Sequence, residues 1–327
     1  METLGLASLA MLFGLIGLVW GADRFVTGSA GAARNYGISP IIIGLTIVSI
    51  GTSAPEIIVS INAAFNDAGD IGIGNAIGSN LANIGLVLGL TAVICPIPIR
   101  RDLLKTETVA LLVATFIAGI FLYDGNLTRT EGIILLIAIF PLLAFIFYCK
   151  KRNPSVEGIE SASNVVSIST KRSIVFFLSG LAVLLISSHL LVWGAKAFAY
   201  SFGISQLVIG LTIVAIGTSL PELAASIISA IKGHHDIAIG TIFGSNLFNL
   251  LVVMAAPGII SPLTLNQEVF FRDYLSMAAL TLILTGIIAS LLWRKKAKSC
   301  QANISRNVGL ALLLLYGLYY VLLISGA

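Results

Sequence analysis

Ten apolar stretches decide what this chain can become. They lie near 4–21, 38–65, 71–95, 104–122, 131–149, 173–195, 204–231, 237–260, 274–293 and 307–325. A helix of roughly 17–25 residues crosses the hydrocarbon core of a bilayer. Of the 327 residues 57% are hydrophobic and 10% charged, against about 25% charged in a soluble domain. Lipid offers the backbone no hydrogen-bond partner, so each stretch satisfies its own peptide groups as a helix. The expected fold is therefore an all-α polytopic membrane protein with ten transmembrane helices. The opening METLGL has no basic residue and no small-residue cleavage site follows it, so the first stretch reads as a span and not as a signal peptide.

Charge predicts how the spans are threaded. The loops after spans 1, 3, 5, 7 and 9 hold sixteen lysines and arginines, and the opposite side holds three, Arg129, Lys196 and Arg272. Positive charge collects on the cytoplasmic face, so both termini are expected on the other side of a plasma (inner) membrane. The net charge of +4 thus reports topology. No soluble basic domain is present to carry a nucleic-acid function. Cys95, Cys149 and Cys300 are far apart without a CxxC, which gives no disulfide or metal framework. No nucleophile–base motif or phosphate loop points to an enzyme or an ATP-driven pump, and no cofactor is implied.

The chain repeats itself. GLTIVSIGTSAPE at 44–56 returns as GLTIVAIGTSLPE at 210–222, with eleven of thirteen positions identical. DIGIGNAIGSNLAN at 70–83 returns as DIAIGTIFGSNLFN at 236–249, with nine of fourteen identical and the same offset of 166 residues. Upstream, WGADRF at 20–25 resembles WGAKAF at 193–198 with an offset of 173. This predicts residues 1–149 as a first five-helix repeat, 150–172 as a cytoplasmic linker and 173–327 as a second five-helix repeat. Five is odd, so the halves enter the membrane from opposite sides. Such inverted-topology repeats are a recurring plan for secondary transporters, with a midplane site where the repeats meet.

Each long motif puts a proline and a carboxylate inside a span. Ser49, Thr52, Ser53 and Glu56 are spaced i, i+3, i+4, i+7 and share one helix face, as do Ala215, Thr218, Ser219 and Glu222. Pro55 and Pro221 have no N–H for the carbonyl four residues back, which frees those of Gly51 and Gly217. Ionisable side chains in a membrane are costly and mark function by default. Ser79 with Asn83, and Ser245 with Asn249, add i,i+4 polar pairs in spans 3 and 8. Gly72, Gly74, Gly78, Gly85, Gly240 and Gly244 read as packing positions that let helices approach. The donors on offer are carboxylates, hydroxyls, amides and carbonyls, which suit Ca²⁺ or Na⁺ better than zinc, copper or iron. Two ionised glutamates balance one Ca²⁺ or two Na⁺, a reason to cross the membrane loaded and not empty. Asp70 and Asp236 read as helix-start acids, His234 and His235 as a solvated turn, and Trp20 and Trp193 as interface anchors.

GTSAPE with GNAIGSNLAN, and GTSLPE with GTIFGSNLFN, resemble the two alpha-repeats of the cation/Ca²⁺ exchanger superfamily, and most closely its prokaryotic Na⁺/Ca²⁺ exchangers. The resemblance covers essentially the whole chain. It implies two antiparallel five-helix halves, a core of helices 2, 3, 7 and 8, and helices 1 and 6 that slide to alternate access. It implies Glu56 and Glu222 as central carboxylates and Thr52 and Thr218 as carbonyl ligands. Ser53, Ser219, Ser79, Ser245 and the carbonyls of Ser49 and Ala215 correspond to Na⁺-site positions. Asn83 and Asn249 match the paired polar positions of helices 3 and 8. Several relatives have an aspartate where Asn249 stands, which argues against K⁺ co-transport. GNxxGSN also differs from the acidic motif of Ca²⁺/H⁺ exchangers. The function implied is Ca²⁺ extrusion driven by the Na⁺ gradient, by alternating access. A Ca²⁺/H⁺ antiporter of the same fold stays open, and a cation channel or a non-transporting scaffold stands further off. The expected partners are Ca²⁺, Na⁺ and membrane lipid. The oligomeric state is open, with a monomer compatible.

Overall fold

Apolar runs interrupted by glycine and proline produce long helices with a few sharp breaks. The computed structural model describes residues 2–152, 168–202, 215–294 and 301–325. Helix α1 spans Glu2–Tyr36 and stops where Gly37 takes a φ of +64°. Gly37 and Ile38 donate back to the carbonyls of Arg34 and Ala33, a glycine-capped helix end. A helix pair follows, α2 (Pro40–Thr52) and α3 (Ala54–Phe65), bent by 46° at Ser53. Then come α4 (Gly69–Ile94), α5 (Arg101–Leu122) and α6 (Arg129–Arg152). Thr128 and Glu131 cap α6 reciprocally: the Thr128 N–H donates to Glu131 at 2.8 Å and the Glu131 N–H to the Thr128 hydroxyl at 3.3 Å. The second half holds α7 (Thr170–Ser201), α8 (Ala215–Thr218), α9 (Leu220–Ile231), α10 (His235–Ile260), α11 (Val269–Trp293) and α12 (Arg306–Ser325).

Among the described residues eight helices are long and apolar enough to cross a membrane, or nine with the α2–α3 pair taken as one span. The seventh expected span, 204–231, begins in residues outside the described ones, where most of the linker, Cys300, Lys295, Lys296 and Lys298 also lie. Helices also run past the apolar stretches: α1 has 35 residues and α7 has 32. Hydropathy marks where lipid begins and ends, whereas the helix continues until a capping signal stops it.

An all-α reading overlooks two small ladders. Strand β1 (Ile97–Arg100) pairs antiparallel with β4 (Gln301–Ile304), and β2 (Asn126–Leu127) with β3 (Leu263–Thr264). They join loops at span ends, where two to four residues are too few to show a period of two.

The chain divides into two compact units, each drawing on both sequence halves. Unit 1 comprises Met1–Pro55 and Glu157–Thr241, and unit 2 comprises Glu56–Val156 and Ile242–Ala327. In unit 1, α1 and α7 run antiparallel in backbone contact. A Cβ on Gly28 would lie 2.3 Å from the Phe177 nitrogen, and one on Gly180 2.3 Å from that of Phe25. Only glycine permits that approach. Phe25, Val48, Leu184, Ala225 and Ile237 form the buried core beside this seam. In unit 2, α4 packs against the later part of α10, and α12 against the later part of α4.

Candidate cation site

Both long motifs break their helix at the same residue and in the same way. Ser53 has φ −83° and ψ 7°, and Ser219 has φ −88° and ψ 5°. These lie in the bridge region next to helical space. The helix before each serine ends in a threonine, Thr52 or Thr218, so its last carbonyls are offered at the break. The helix after it starts with Glu56 or Glu222 in the first turn. A helix N-terminus favours a negative side chain, and a half-helix C-terminus presents carbonyls to a cation. The duplicated GTSxPE thus brings a carboxyl group and a carbonyl cluster to a single bend.

Unit 1 holds Ser49, Thr52 and Ser53 together with Ala215, Thr218, Ser219 and Glu222. Ser49, Thr52, Ser53, Ser219 and Glu222 are all buried, and Thr218 is half-buried. The Ser53 hydroxyl donates to Oε1 of Glu222 at 3.0 Å, joining the serine of one motif to the carboxylate of the other. The Ser49 hydroxyl lies 2.7 Å from the Gly44 carbonyl and 3.0 Å from that of Thr241 on α10. The Ser49 carbonyl accepts the Ser53 N–H at 2.9 Å. Ser188 of α7 supplies a donor that the motifs do not contain. Its hydroxyl lies 3.1 Å from the Gly217 carbonyl, the one that Pro221 deprives of a helical partner. That carbonyl, expected bare from the sequence, is therefore held by a neighbouring helix.

Unit 2 holds Glu56, Ser79, Asn83, Ser245 and Asn249, all buried. Asn75 on α4 donates to the Glu56 carbonyl at 3.3 Å. Asn83 and Asn249 each open a wide π-type turn, Asn83–Leu88 and Asn249–Val253. Such turns are inserted residues in a helix and are frequent at functional sites. The hydroxyl of Ser60, one turn beyond Glu56, donates to the Val253 carbonyl at the end of the second π turn, at 2.7 Å. The Oδ1 atoms of Asn83 and Asn249 and the Ser245 hydroxyl are buried without a hydrogen-bond partner among the described residues, and so is the Ser219 hydroxyl in unit 1. Buried unsatisfied oxygens cost about 1–3 kcal/mol each. Oxygens kept at that cost, without sulfur or imidazole among them, suit a hard cation.

Sequence reasoning overlooked Ser188, Ser60, Asn75 and the π turns. Asn75 stands inside the repeated GNAIG block and Ser60 is i+4 from Glu56, so both were findable. Two expectations need correction. Gly74 and Gly78 are not packing positions: a Cβ on either meets no atom within 4 Å among the described residues, whereas one on Gly72 would lie 2.5 Å from the Ser60 hydroxyl oxygen. His234 and His235 are each half-buried and so only partly solvated; burial, and then the charge of Lys232, pushes the His234 imidazole below the ordinary histidine range.

The family model described as "Sodium/calcium exchanger protein" matches residues 6–149 and 172–325. A putative antiporter, CaxA of Alkalimonas amylolytica, is 46% identical over 85% of this chain and 88% of its own length. The inner membrane protein YrbG of Escherichia coli is 38% identical over 94% and 93%. The solved sodium-calcium exchanger NCX_Mj, soaked without Na⁺ or Ca²⁺, superposes with a TM-score of 0.81 at 33% identity over 97% of this chain and 98% of that one. Matching motifs, matching length and a shared membrane fold lead to one assignment: this chain belongs to the sodium/calcium exchanger family.

Proposed function

We propose that this protein is a secondary antiporter that extrudes Ca²⁺ at the expense of the Na⁺ gradient. The observation that supports this most is the 3.0 Å bond from Ser53 to Glu222, which couples the two motif copies through buried oxygen groups. Glu56 and Glu222 are the carboxylates that receive Ca²⁺, and Thr52 and Thr218 contribute their carbonyls. Ser53, Ser219, Ser79, Ser245 and the carbonyls of Ser49 and Ala215 serve Na⁺, and Asn83 and Asn249 complete the polar lining. Two ionised glutamates leave a charge of about −2 that Ca²⁺ or Na⁺ neutralises. An empty site is held back by that charge, which favours exchange over leak.

Alternating access fits an architecture of ten spans in two inverted repeats, 1–149 and 173–327, with a cytoplasmic linker at 150–172 and both termini on the non-cytoplasmic side. The seam between α1 and α7 is glycine-lined, with the Asn35–Ser173 hydrogen bond and the Arg24–Phe176 contact both in the second half of α1, and smooth packing of small residues favours sliding. If more positive charge enters as Na⁺ than leaves as Ca²⁺, membrane potential assists each cycle by roughly 2.3 kcal/mol per 100 mV for each net charge moved. The chemistry is transport of cations, with no bond made or broken in a substrate.

The test is uptake of radiolabelled Ca²⁺ into proteoliposomes loaded with Na⁺ and diluted into Na⁺-free buffer. Uptake should require the outward Na⁺ gradient and fall to background in Glu56→Gln and in Glu222→Gln. Uptake that ignores Na⁺ and follows a pH gradient would transfer the same site to Ca²⁺/H⁺ exchange. Full activity in both variants would remove the carboxylates from the mechanism.

A further inference from the structure

Past Glu222, helix α9 carries two serines that the site described above does not use. Ser226 and Ser229 follow the acid at i+4 and i+7, so the three side chains rise along one face of the helix. Leu220, Ala224 and Ile228 lie on the other side, packed into the apolar core that α9 shares with α1 and α7. Both serines are 0% exposed. Neither hydroxyl has a hydrogen-bond partner among the described residues. Other buried helical hydroxyls of unit 1 donate to the carbonyl four residues back, Ser29 to Phe25 and Thr241 to Ile237, each at 2.8 Å. Ser226 and Ser229 have the same option and leave it unused.

The first motif copy shows how a supporting serine behaves. Ser60 stands 166 residues before Ser226, and its hydroxyl donates to the Val253 carbonyl at 2.7 Å. The residue 166 positions before Ser229 is Ala63. Glu56 is thus followed by one hydroxyl that is already bonded, and Glu222 by two that are not. An unpaired buried hydroxyl destabilises the fold, and alanine would continue the same helix without that loss. Along the axis, a rise of 1.5 Å per residue carries Ser229 roughly 10 Å from Glu222, most of the ~15 Å half-thickness of a bilayer core. The helix ends at Ile231, Gly233 turns the chain with a φ of +76°, and the His234 N–H returns to the Ser229 carbonyl at 2.8 Å. Ser229 therefore stands just inside the end of the helix.

Resting on the exchange reading above, we propose that Ser226 and Ser229 form a two-step waypoint for the transported cation between Glu222 and the cytoplasmic mouth of the protein. Each hydroxyl lends a hard oxygen in place of a hydration water, at steps of about 5–6 Å. Being neutral, the pair holds an ion loosely enough to pass it on, whereas the carboxylate retains it. The route past Glu56 has no such pair, so the two mouths of the exchanger differ.

Ser226→Ala/Ser229→Ala tests this in proteoliposomes. Na⁺-driven Ca²⁺ uptake should slow by about tenfold, the scale of one lost contact to a charged group. The Na⁺ concentration that half-stabilises the protein against heat should stay within about twofold of wild type, and the variant should unfold no more easily, since no bond is lost. Ser226→Thr/Ser229→Thr keeps both oxygens and should restore the rate. An unchanged rate in the alanine variant would overturn the proposal. So would a slowing matched by an equal loss of Na⁺ affinity, because the serines would then serve the central site. A second arm reads position without transport. Ser229→Cys is placed in a chain whose Cys95, Cys149 and Cys300 are changed to Ser, and an impermeant cationic thiol reagent is added to inverted membrane vesicles, which present the cytoplasmic face. Labelling that saturating Na⁺ slows is the expected result. A thiol that stays unlabelled under every ion condition would overturn the waypoint even if the alanine variant is poorly folded. If wild-type uptake ignores Na⁺, the exchange reading fails separately, and labelling with Ca²⁺ as the protecting ion judges the waypoint.

Discussion

The two copies of the GTSxPE motif have the same backbone and different neighbours. Their serines bend the helix at dihedral angles that agree within 5°. Yet Ser53 donates to Glu222, while the Ser219 hydroxyl has no hydrogen-bond partner among the described residues. Thr52 is buried and Thr218 half-buried. The Gly217 carbonyl is held by Ser188, and the residue 173 positions before Ser188 is Leu15, which has no hydroxyl to give. Identical local sequence reproduces local geometry. Partners come from helices whose sequences have diverged, so side-chain bonding is not duplicated. Under the alternating access proposed above, that inequality is an advantage, because two equivalent sets of bonds would favour neither state.

The sharpest way to break the comparison is through glycines at equivalent positions. Gly74 and Gly240 are 166 residues apart in the repeated DIxIG block. A Cβ on Gly240 would lie 2.5 Å from the Ile41 carbonyl and 2.9 Å from the Leu45 nitrogen, whereas one on Gly74 meets nothing within 4 Å among the described residues. Gly240→Ala should therefore cost about 1–3 kcal/mol or more, as overpacking against rigid backbone does. Gly74→Ala should be neutral, or stabilising by up to about 1 kcal/mol through helix propensity. Thermal unfolding of the two variants in detergent compares them directly. Equal losses would mean that the copies pack alike.

The serines at the bends come next. Ser53→Ala takes a donor from a buried carboxylate and should cost about 1–3 kcal/mol. Ser219→Ala removes a buried hydroxyl without a partner here and should leave stability unchanged or raise it by up to about 1–3 kcal/mol. Denaturation of both variants without Na⁺ or Ca²⁺ would show the difference. Repeating it in saturating Na⁺ sharpens the contrast: the tolerance of Ser219→Ala should disappear if its oxygen is a Na⁺ ligand.

The sequence made the spans legible because lipid leaves the backbone a single answer. The boundaries of α4 and α10 fall within two residues of the apolar stretches that announce them. The acid-and-proline motif was legible for a similar reason: Glu56 and Glu222 are too costly in hydrocarbon to be incidental. What surrounds them was not. Ser188 carries no motif of its own, and nothing in a helical period says which carbonyl a hydroxyl will meet 29 residues away. The π turns that begin at Asn83 and Asn249 leave no mark in hydropathy, because a sliding window averages over every face of a helix and one extra residue leaves that average unchanged. Gly74 and Gly72 look interchangeable in the sequence, and only packing separates them.

Ser188 offers the finest test of the inequality. Its hydroxyl is a single neutral donor to a buried carbonyl, and losing it should cost about 1 kcal/mol. Ser188→Thr keeps the hydroxyl and should restore most of that loss. The bond joins α7 to the broken helix α8–α9, so any sliding of α7 past that helix must break it. Ser188→Ala should then lower the stability of the state seen here without slowing Na⁺-driven Ca²⁺ uptake, because the variant has one bond fewer to break in each cycle. A variant that lost uptake while keeping its stability would instead place Ser188 among the groups that serve the cation, and the two motif copies would differ in their ligands as well as in their supports.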